Sequence, residues 1–266
     1  MAKLYIVGTP IGNLGDITLR AIETLKAADV IACEDTRHSR PLLAHYGIKA
    51  RLIAYHKFNE VECALKIADY VKSGLNVALI TDAGMPSVSD PGAEVVSLCR
   101  REGIETESVP GPTAATTAVA LSGIKAGGFV FLGFLPEKAS AREACVRRAD
   151  GAGLPLVIYV APHDVARTAA ELGGLLGDRK VYAVREITKL HECVEESTLL
   201  DFRCGERGEI VLVVDGAPEE NPLCALSAEE HLRHYLDGGM DRKEAVKRTA
   251  RERGVPKNEI YSLLVE

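Results

Sequence analysis

Three glycine- and proline-bearing loops constrain this chain more than any other feature. They are Gly8-Thr9-Pro10-Ile11-Gly12-Asn13-Leu14-Gly15-Asp16, Asp82-Ala83-Gly84-Met85-Pro86-Ser87 and Pro110-Gly111-Pro112-Thr113. Each follows a short apolar run (Leu4 to Val7, Val77 to Ile80, Ile104 to Val109) and precedes a stretch that reads as helix. Apolar runs of that length between turn signals are the pattern of buried parallel strands. Loops at the carboxyl ends of parallel strands gather beside one crevice. Glycine there lets a ligand approach the main chain closely. The sequence therefore points to a small-molecule site built largely of backbone.

The first half alternates strand and helix signals. Strands are expected at 4–7, 29–32, 51–54, 76–81 and 104–109, with helices at 18–28, 60–73, 92–102 and through the Ala/Thr-rich run 113–121. This rhythm predicts a mostly parallel sheet covered on both faces. Ser122 to Gly128 reads as a linker. A second α/β unit follows, with strands at 129–134, 155–160, 180–187 and 209–214, a helix from a Ser140…Glu143 capping box to about 149, and another at 163–175. The runs 180–187 and 191–197 are close enough to form an antiparallel hairpin. Gly216 to Pro222 is a second linker. The tail reads as three short helices, with capping boxes at Ser227…Glu230 and Asp241…Glu244 and a C′ glycine at Gly254. The expected domains are 1–122, 123–216 and 223–266, the last resembling a helix-turn-helix module.

At 266 residues and 47% hydrophobic, the chain has ample core for two α/β domains. No secretory signal or membrane-span pattern is evident, so the cytoplasm is the expected compartment. Seven cysteines without a Cys-x-x-Cys pair, and histidines without a His-x-x-x-His pair, argue against a disulfide framework or a bound metal. Charge is uneven. The formal net charge is −6, yet residues 242–257 hold seven basic and two acidic side chains, leaving −11 elsewhere. A basic end on an acidic body suits a polyanionic partner, or is a solvated helix face.

The first loop lacks a Gly-Lys-Ser/Thr, and its glycines at 8, 12 and 15 miss Gly-x-Gly-x-x-Gly spacing, so neither nucleotide fingerprint is present. Asp82, at a strand terminus, is placed to accept from a ribose hydroxyl or an amine, or to cap the following turn.

Leu4 to Thr18, Glu34-Asp-Thr-Arg37, Thr81 to Gly92 and Val109-Pro-Gly-Pro-Thr113 closely resemble one family. It is the small-subunit ribosomal RNA methyltransferase I family, within the tetrapyrrole-methylase-like superfamily of S-adenosylmethionine (SAM) enzymes. Gly133-Phe-Leu-Pro136, Ala161-Pro-His163, Arg185-Glu-Ile-Thr-Lys189, Lys243-Glu-Ala245 and Lys257-Asn-Glu-Ile-Tyr261 continue the match along nearly the whole chain. The resemblance implies the fold of class III SAM methyltransferases: two α/β domains of the tetrapyrrole-methylase type plus a small C-terminal helical module. It implies a homodimer, SAM in the cleft between the domains, and 2′-O-methylation of a cytidine ribose in the decoding region of 16S rRNA, free or in the small subunit. By this analogy the SAM pocket includes Pro10, Asp82, Gly84, Pro86, Thr113 and Ala114, closed from the other side by strand ends of the second domain. Three places depart from the family pattern. Tyr159-Val-Ala-Pro-His-Asp164 stands where Tyr-Glu-Ala-Pro-His-Arg is usual, Met85 replaces a common threonine, and Pro256 replaces a capping serine. No role of the missing glutamate or arginine carries over to Val160 or Asp164.

A ribose hydroxyl needs an acceptor for its proton or a cation beside the developing alkoxide. Two charged groups lie near strand ends: Glu34, Asp35 and Arg37, and Arg185, Glu186 and Lys189. We expect Glu34 or Glu186 to accept the proton, with Arg37, Arg185 or Lys189 gripping RNA phosphate. The alternative is a structural ion-pair network. His38 and His163 contact substrate or satisfy loop carbonyls, and Tyr55 and His56 could stack on a nucleotide. With no Trp and 5% aromatic residues, extensive base stacking is not expected. RNA recognition then rests on phosphate and shape, with residues 242–257 as the anchor. Two other readings fit the same loops: a methyltransferase of this fold acting on a tetrapyrrole or a protein side chain, and a non-catalytic SAM- or nucleotide-binding regulator.

Overall fold

The central strands of the first half are short buried runs, and the strands that flank them are partly exposed. In the computed structural model, which describes residues 1–125, 127–217, 222–253 and 255–264, they are β1 (Leu4–Val7), β2 (Val30–Cys33), β3 (Arg51–Ala54), β4 (Val77–Leu79) and β5 (Thr106–Val109). They form one sheet in the order β3-β2-β4-β1-β5, every pair parallel. Its helices are α1 (Leu19–Ala27), α2 (Thr36–His45), α3 (Glu60–Lys72) and α4 (Ala93–Arg101).

Side chains alternate across a strand, and the two faces sort accordingly. Val30, Ala32, Val77 and Leu79 pack with Ile67, Val71, Val95 and Leu98 of α3 and α4. Ile31, Cys33 and Ala78 pack with Ala21 and Leu25 of α1 and Leu43 of α2. Tyr55, expected as a possible stacking residue, is instead 1% exposed and belongs to this core. Its hydroxyl accepts from the Val95 N–H at 3.3 Å.

Helix α5 (Ala114–Ser122) ends at Gly123 in the left-handed region, a usual helix stop. The second sheet holds β6 (Val130–Phe134), β7 (Leu156–Val160), β8 (Lys180–Arg185), β9 (Cys193–Thr198) and β10 (Ile210–Val214), ordered β6-β7-β10-β8-β9. β6 and β7 are parallel, and the other pairs are antiparallel, including the anticipated β8–β9 hairpin. Helices α6 (Ala139–Asp150) and α7 (Val165–Leu176) cover one face. The small residues Ala115 and Ala118 of α5 lie on the other, against Val157, Val184, Val211 and Val213. A boundary after residue 122 thus follows a helix that comes from the first half and packs on the second sheet.

Two local expectations are corrected. Ser140 is not a cap: α6 starts earlier, with Lys138 at its N-cap. Glu143 pairs forward with Arg147 at 2.8 Å, while Arg142 folds back onto the Pro136 and Glu137 carbonyls. Strand β8 stops at Arg185, short of 187, because Glu186 (φ 50°) and Thr188 (φ 66°) leave the extended region. Both α/β halves lie in one compact unit, Met1–Gly216.

The second unit, Ala217–Glu266, contains the three expected helices: α8 (Ala228–Asp237), α9 (Arg242–Arg253) and α10 (Lys257–Ser262). Ser227 and Glu230 make the predicted capping box. Asp241 accepts from the Lys243 N–H at 3.1 Å, and Pro256 caps α10 without a side-chain bond. Leu232, Tyr235, Val246, Ala250 and Ile260 form a small core. Beside it the Glu252 carboxylate takes hydrogen bonds from the Tyr235 hydroxyl (2.6 Å) and Arg248 Nε (2.9 Å), and His231 Nε2 lies 3.1 Å away. Burial opposes that charge, but these partners outweigh it and hold the carboxyl at about 2. Lys243, Lys247 and Arg251, spaced four apart, are exposed on α9. Gly254 and residues 218–221 of the second linker lie outside the described residues. Among the described residues, no helix is long and apolar enough to cross a membrane.

Candidate active site

Because every strand of the first sheet is parallel, the loops after β1, β4 and β5 leave from one edge. Their main chains fix one another. The Gly8 N–H donates to the Val109 carbonyl at 3.0 Å, and a methyl group on Gly8 would sit 2.7 Å from Gly111 Cα and N. Thr9 and Gly84 exchange backbone hydrogen bonds of 2.9 and 3.2 Å. The fully buried Thr9 hydroxyl also donates to the Thr81 carbonyl at 3.0 Å. Gly84 holds φ 82°, which a glycine adopts freely.

The second half closes on this edge. A β-bulge displaces Leu132 from the β6–β7 register and leaves Gly133 at φ 61°. Bulges re-aim the side chains that follow them. Here Gly133 approaches Ser89 so closely that a methyl group would lie 2.7 Å from its hydroxyl. Ser87 (φ 69°) and Ser89 (φ 66°) hold left-handed conformations that side-chain-bearing residues rarely adopt.

Between the halves lies a cleft of about 400 Å³. Asp82, Gly84, Thr113 and Ala114 line it from the first half, as expected, and Phe134 and Tyr159 line it from the second. Pro10 and Pro86 do not. Pro10 lines a smaller cavity with His38 and Asp82, and Pro86 lines one beside Val96 and Arg100. Val160 lines the cleft, and Asp164 lines an adjoining cavity, where it pairs with Arg167 at 2.5 Å.

The charged groups fall into two sets. Glu34 accepts from the Thr81 hydroxyl at 3.3 Å. Near it Asp90, on the cleft wall, is pushed up to about 6, first by burial and then by the negative charge of Glu34. Asp82 accepts from the Asp35 N–H at 3.3 Å and lies 3.0 Å from His38 Nδ1, whose affinity for a proton it raises. Arg37, 85% exposed, makes a two-pronged ion pair with Asp35, the N-cap of α2. In the second set, Glu186 accepts from the Glu209 N–H (2.8 Å) and Lys189 Nζ (2.9 Å), which keep it ionised below its ordinary range. Lys189 also reaches Glu209 at 3.2 Å. Its stem lies over Gly12, where a methyl group would be 2.6 Å from Cε. Arg185 is engaged by Glu195 at 2.8 Å. The structure thus puts Asp82 in the cleft wall, sets Glu34 behind it near Asp90, and ties Glu186 and Lys189 to each other beside the cleft residue Glu209. Asp90, Phe134 and Tyr159 were not singled out from the sequence. Asp90 stands inside the quoted Thr81–Gly92 run, but its burial beside Glu34 depends on tertiary packing.

Among the described residues, no group of His, Cys, Asp and Glu could hold a metal ion. The cleft does suit SAM. Its size is in the range of small-ligand sites. Ile11, Met85, Ile210 and Val211 offer apolar walls for an adenine ring, and Asp82 and Asp90 offer acceptors for ribose hydroxyls or an ammonium group.

Parallel strands with glycine-bound loops facing a second mixed sheet accompany a sequence match to the tetrapyrrole class of methylases. The sequence model described as Tetrapyrrole (Corrin/Porphyrin) Methylases matches residues 3–202. The fold is similar to a solved uroporphyrin-III-C-methyltransferase from Thermus thermophilus, with a TM-score of 0.57, 23% identity, and coverage of 81% of this chain and 94% of that one. It is also similar to a diphthine synthase, with a TM-score of 0.63, 15% identity, and coverage of 80% and 90%. Two curated relatives carry the name ribosomal RNA small subunit methyltransferase I. The Bacillus subtilis protein is 41% identical, covering 98% of this chain and 93% of its own. The Escherichia coli O157:H7 protein is 38% identical, covering 99% and 95%. The chain belongs to the ribosomal RNA small subunit methyltransferase I family, within the tetrapyrrole methylases.

Proposed function

We propose that this chain transfers a methyl group from SAM to the 2′-hydroxyl of a cytidine ribose in the decoding region of 16S rRNA, acting as a homodimer on the small ribosomal subunit. The observation that carries the reading is the cleft between the two sheets, one wall main chain and the other aromatic, in a chain of this family. SAM supplies an electrophilic methyl group, so the protein's task is to align it with the acceptor oxygen. The loops after β1, β4 and β5 present a fixed surface, and Tyr159 and Phe134 bound the opposite side. Asp82 and Asp90 hold polar groups of the cofactor. Arg37, and Lys189 poised between Glu186 and Glu209, are the cations that meet RNA phosphate at this rim. The exposed Lys243, Lys247 and Arg251 of the tail give the sequence-independent grip that phosphate contacts provide.

Purified protein, small subunits and SAM carrying a labelled methyl group test this directly. The expected product is 2′-O-methylcytidine in digested 16S rRNA. Label absent from the RNA, or found on a base, overturns the reading. Removing residues 223–266 is expected to weaken RNA binding and spare SAM binding. Equal loss of both would make the tail structural.

A further inference from the structure

Methyl transfer needs the acceptor oxygen about 3 Å from the methyl carbon and in line with the bond that breaks. The acceptor nucleotide must therefore enter a space that adjoins the cofactor cleft. Two cavities do so. One, of about 280 Å³, shares Phe134, Tyr159, Val160 and Ala161 with the cleft. Two of its carboxylates are committed, Asp164 to Arg167 at 2.5 Å and Glu171 to Arg142 at 2.6 Å, and the third, Glu137, is exposed. The other, of about 250 Å³, lies on the far side of Asp82, which among the described residues is the one shared by both linings. Pro10, Asn13, Ser39 and His38 line it, with Thr81.

His38 has the geometry of a proton acceptor. An ionised carboxylate can only accept a hydrogen bond, so the 3.0 Å contact with Asp82 Oδ2 places a proton on Nδ1. In the neutral ring, Nε2 then carries the lone pair. The other Asp82 oxygen takes the Asp35 N–H, so the orienting carboxylate is held from the start of the helix that bears His38. The imidazole is 72% exposed and reachable by a polynucleotide. Glu34 and Glu186 compete poorly. The first lines neither the cleft nor the two adjoining cavities, and the second, also outside them, has its proton affinity lowered by the Glu209 N–H and Lys189.

Resting on the methyl-transfer reading above, we propose that the cavity on the His38 side of Asp82 receives the acceptor ribose, and that His38 takes the proton from its 2′-hydroxyl while Asp82 orients the ring. As the hydroxyl oxygen bonds to the methyl carbon, the carbon–sulfur bond breaks and its electron pair leaves with sulfur. The hydroxyl proton passes to Nε2, and solvent later removes it. His38 is the catalytic residue in this step, and Asp82 is a positioning residue. The charges facing the imidazole are Asp82 and Asp35, which favour its protonated form, and Arg37, which opposes it. A base must be neutral to act, so turnover falls as pH drops through a value above the ordinary imidazole range.

The test uses the full-length protein, small subunits and labelled SAM. His38→Ala and His38→Gln are each expected to lose about 10²- to 10⁴-fold in kcat. SAM affinity by calorimetry and the unfolding midpoint stay at wild-type values, because the side chain is at the surface. Added imidazole restores turnover to His38→Ala and not to wild type. Asp82→Asn moves the acid limb of the kcat profile to lower pH. Turnover kept in both His38 variants, or lost without rescue by imidazole, overturns the proposal. So does a loss recovered by raising the RNA concentration, which marks a binding contact. A wild-type protein inert on small subunits brings down the functional reading with it. An active wild type with unaffected His38 variants brings down this proposal alone.

Discussion

The two walls of the cleft are made of different materials. The first sheet contributes main chain: Gly8 against Gly111, and Thr9 bonded to Gly84. The second contributes side chains: Tyr159 and Phe134 in the wall, and the Glu186–Lys189–Glu209 cluster at the rim. Backbone cannot be exchanged by mutation, only obstructed, so the first wall is suited to a ligand that never changes. Side chains can be exchanged one at a time, so the second wall is the adjustable side of the cofactor cleft. The departures at Val160 and Asp164 fall in this second half, lining the cleft and its neighbouring cavity.

If the contrast holds, a large loss of stability in the second half leaves cofactor affinity untouched. Arg179, 10% exposed, makes a bidentate pair with Asp150 at 2.5 and 3.1 Å, tying the start of β8 to the end of α6. Arg179→Ala strands a half-buried carboxylate and should cost about 3 kcal/mol, read by denaturant unfolding. SAM affinity by calorimetry should not move. A matching loss of affinity would mean that ion pairs on the second sheet position the cleft.

The first wall should behave in the opposite way. Gly8→Ala places a methyl group 2.7 Å from Gly111 Cα and N, and backbone has little room to yield. Overpacking of this kind costs about 1–3 kcal/mol. Here it also pushes the first and third loops apart, so SAM affinity falls along with stability. Wild-type affinity in Gly8→Ala would remove the main basis for the comparison.

How much of this was legible follows the same division. The centre of the first sheet could be read because β1, β2 and β4, buried between helices on both faces, appear as unbroken apolar runs. The loops that line the cleft were legible for the same reason. Helix α2 was not. Its sequence holds Arg37, His38, Arg40 and an internal Pro41, and it buries little beyond Ser39 and Leu43, so no apolar stripe announces it. Without that helix, nothing in the sequence sets His38 beside Asp82, 44 positions away. Phe134 was hidden because a bulge, and not strand alternation, aims it. Glu186 and Lys189 were read correctly as neighbours, but the left-handed turn that binds them to each other has no glycine to mark it.

Asp90 sets a pH test on the first wall. Burial and the nearby Glu34 charge raise its carboxyl to about 6 in the folded chain. Between its ordinary value and about 6, the folded state holds a proton that the unfolded chain has released, so Asp90 makes stability fall as pH rises through that window. Asp90→Asn removes the charge. Without SAM, the variant should be more stable than wild type at pH 7.5, by an amount of the order of 1 kcal/mol given partial screening. Near pH 3, below both values, where the carboxyl is largely protonated in both states, the two should converge. A difference that does not narrow on acidification would mean that the side chain acts through packing and not charge.

The smallest effect is also the sharpest contrast, because it concerns the same residue type. Gly174 lies on the exposed side of α7, and a methyl group there meets nothing within 4 Å. Its neighbour Gly173 is buried, and a methyl group on it would press to 2.9 Å from Leu200 Cδ2. Alanine is preferred to glycine inside a helix by about 0.5–1 kcal/mol. Gly174→Ala should therefore raise the unfolding midpoint by that free energy and leave SAM affinity as it is. Gly173→Ala should gain less or lose, according to how far the flexible Leu200 side chain gives way. If Gly174→Ala stabilises while Gly8→Ala destabilises and weakens SAM, glycine in this chain is required by close approach in the first wall and is incidental on the outer helix of the second. If Gly174→Ala also weakens SAM binding, α7 bears on the cleft, and the second half is not the adjustable wall described here.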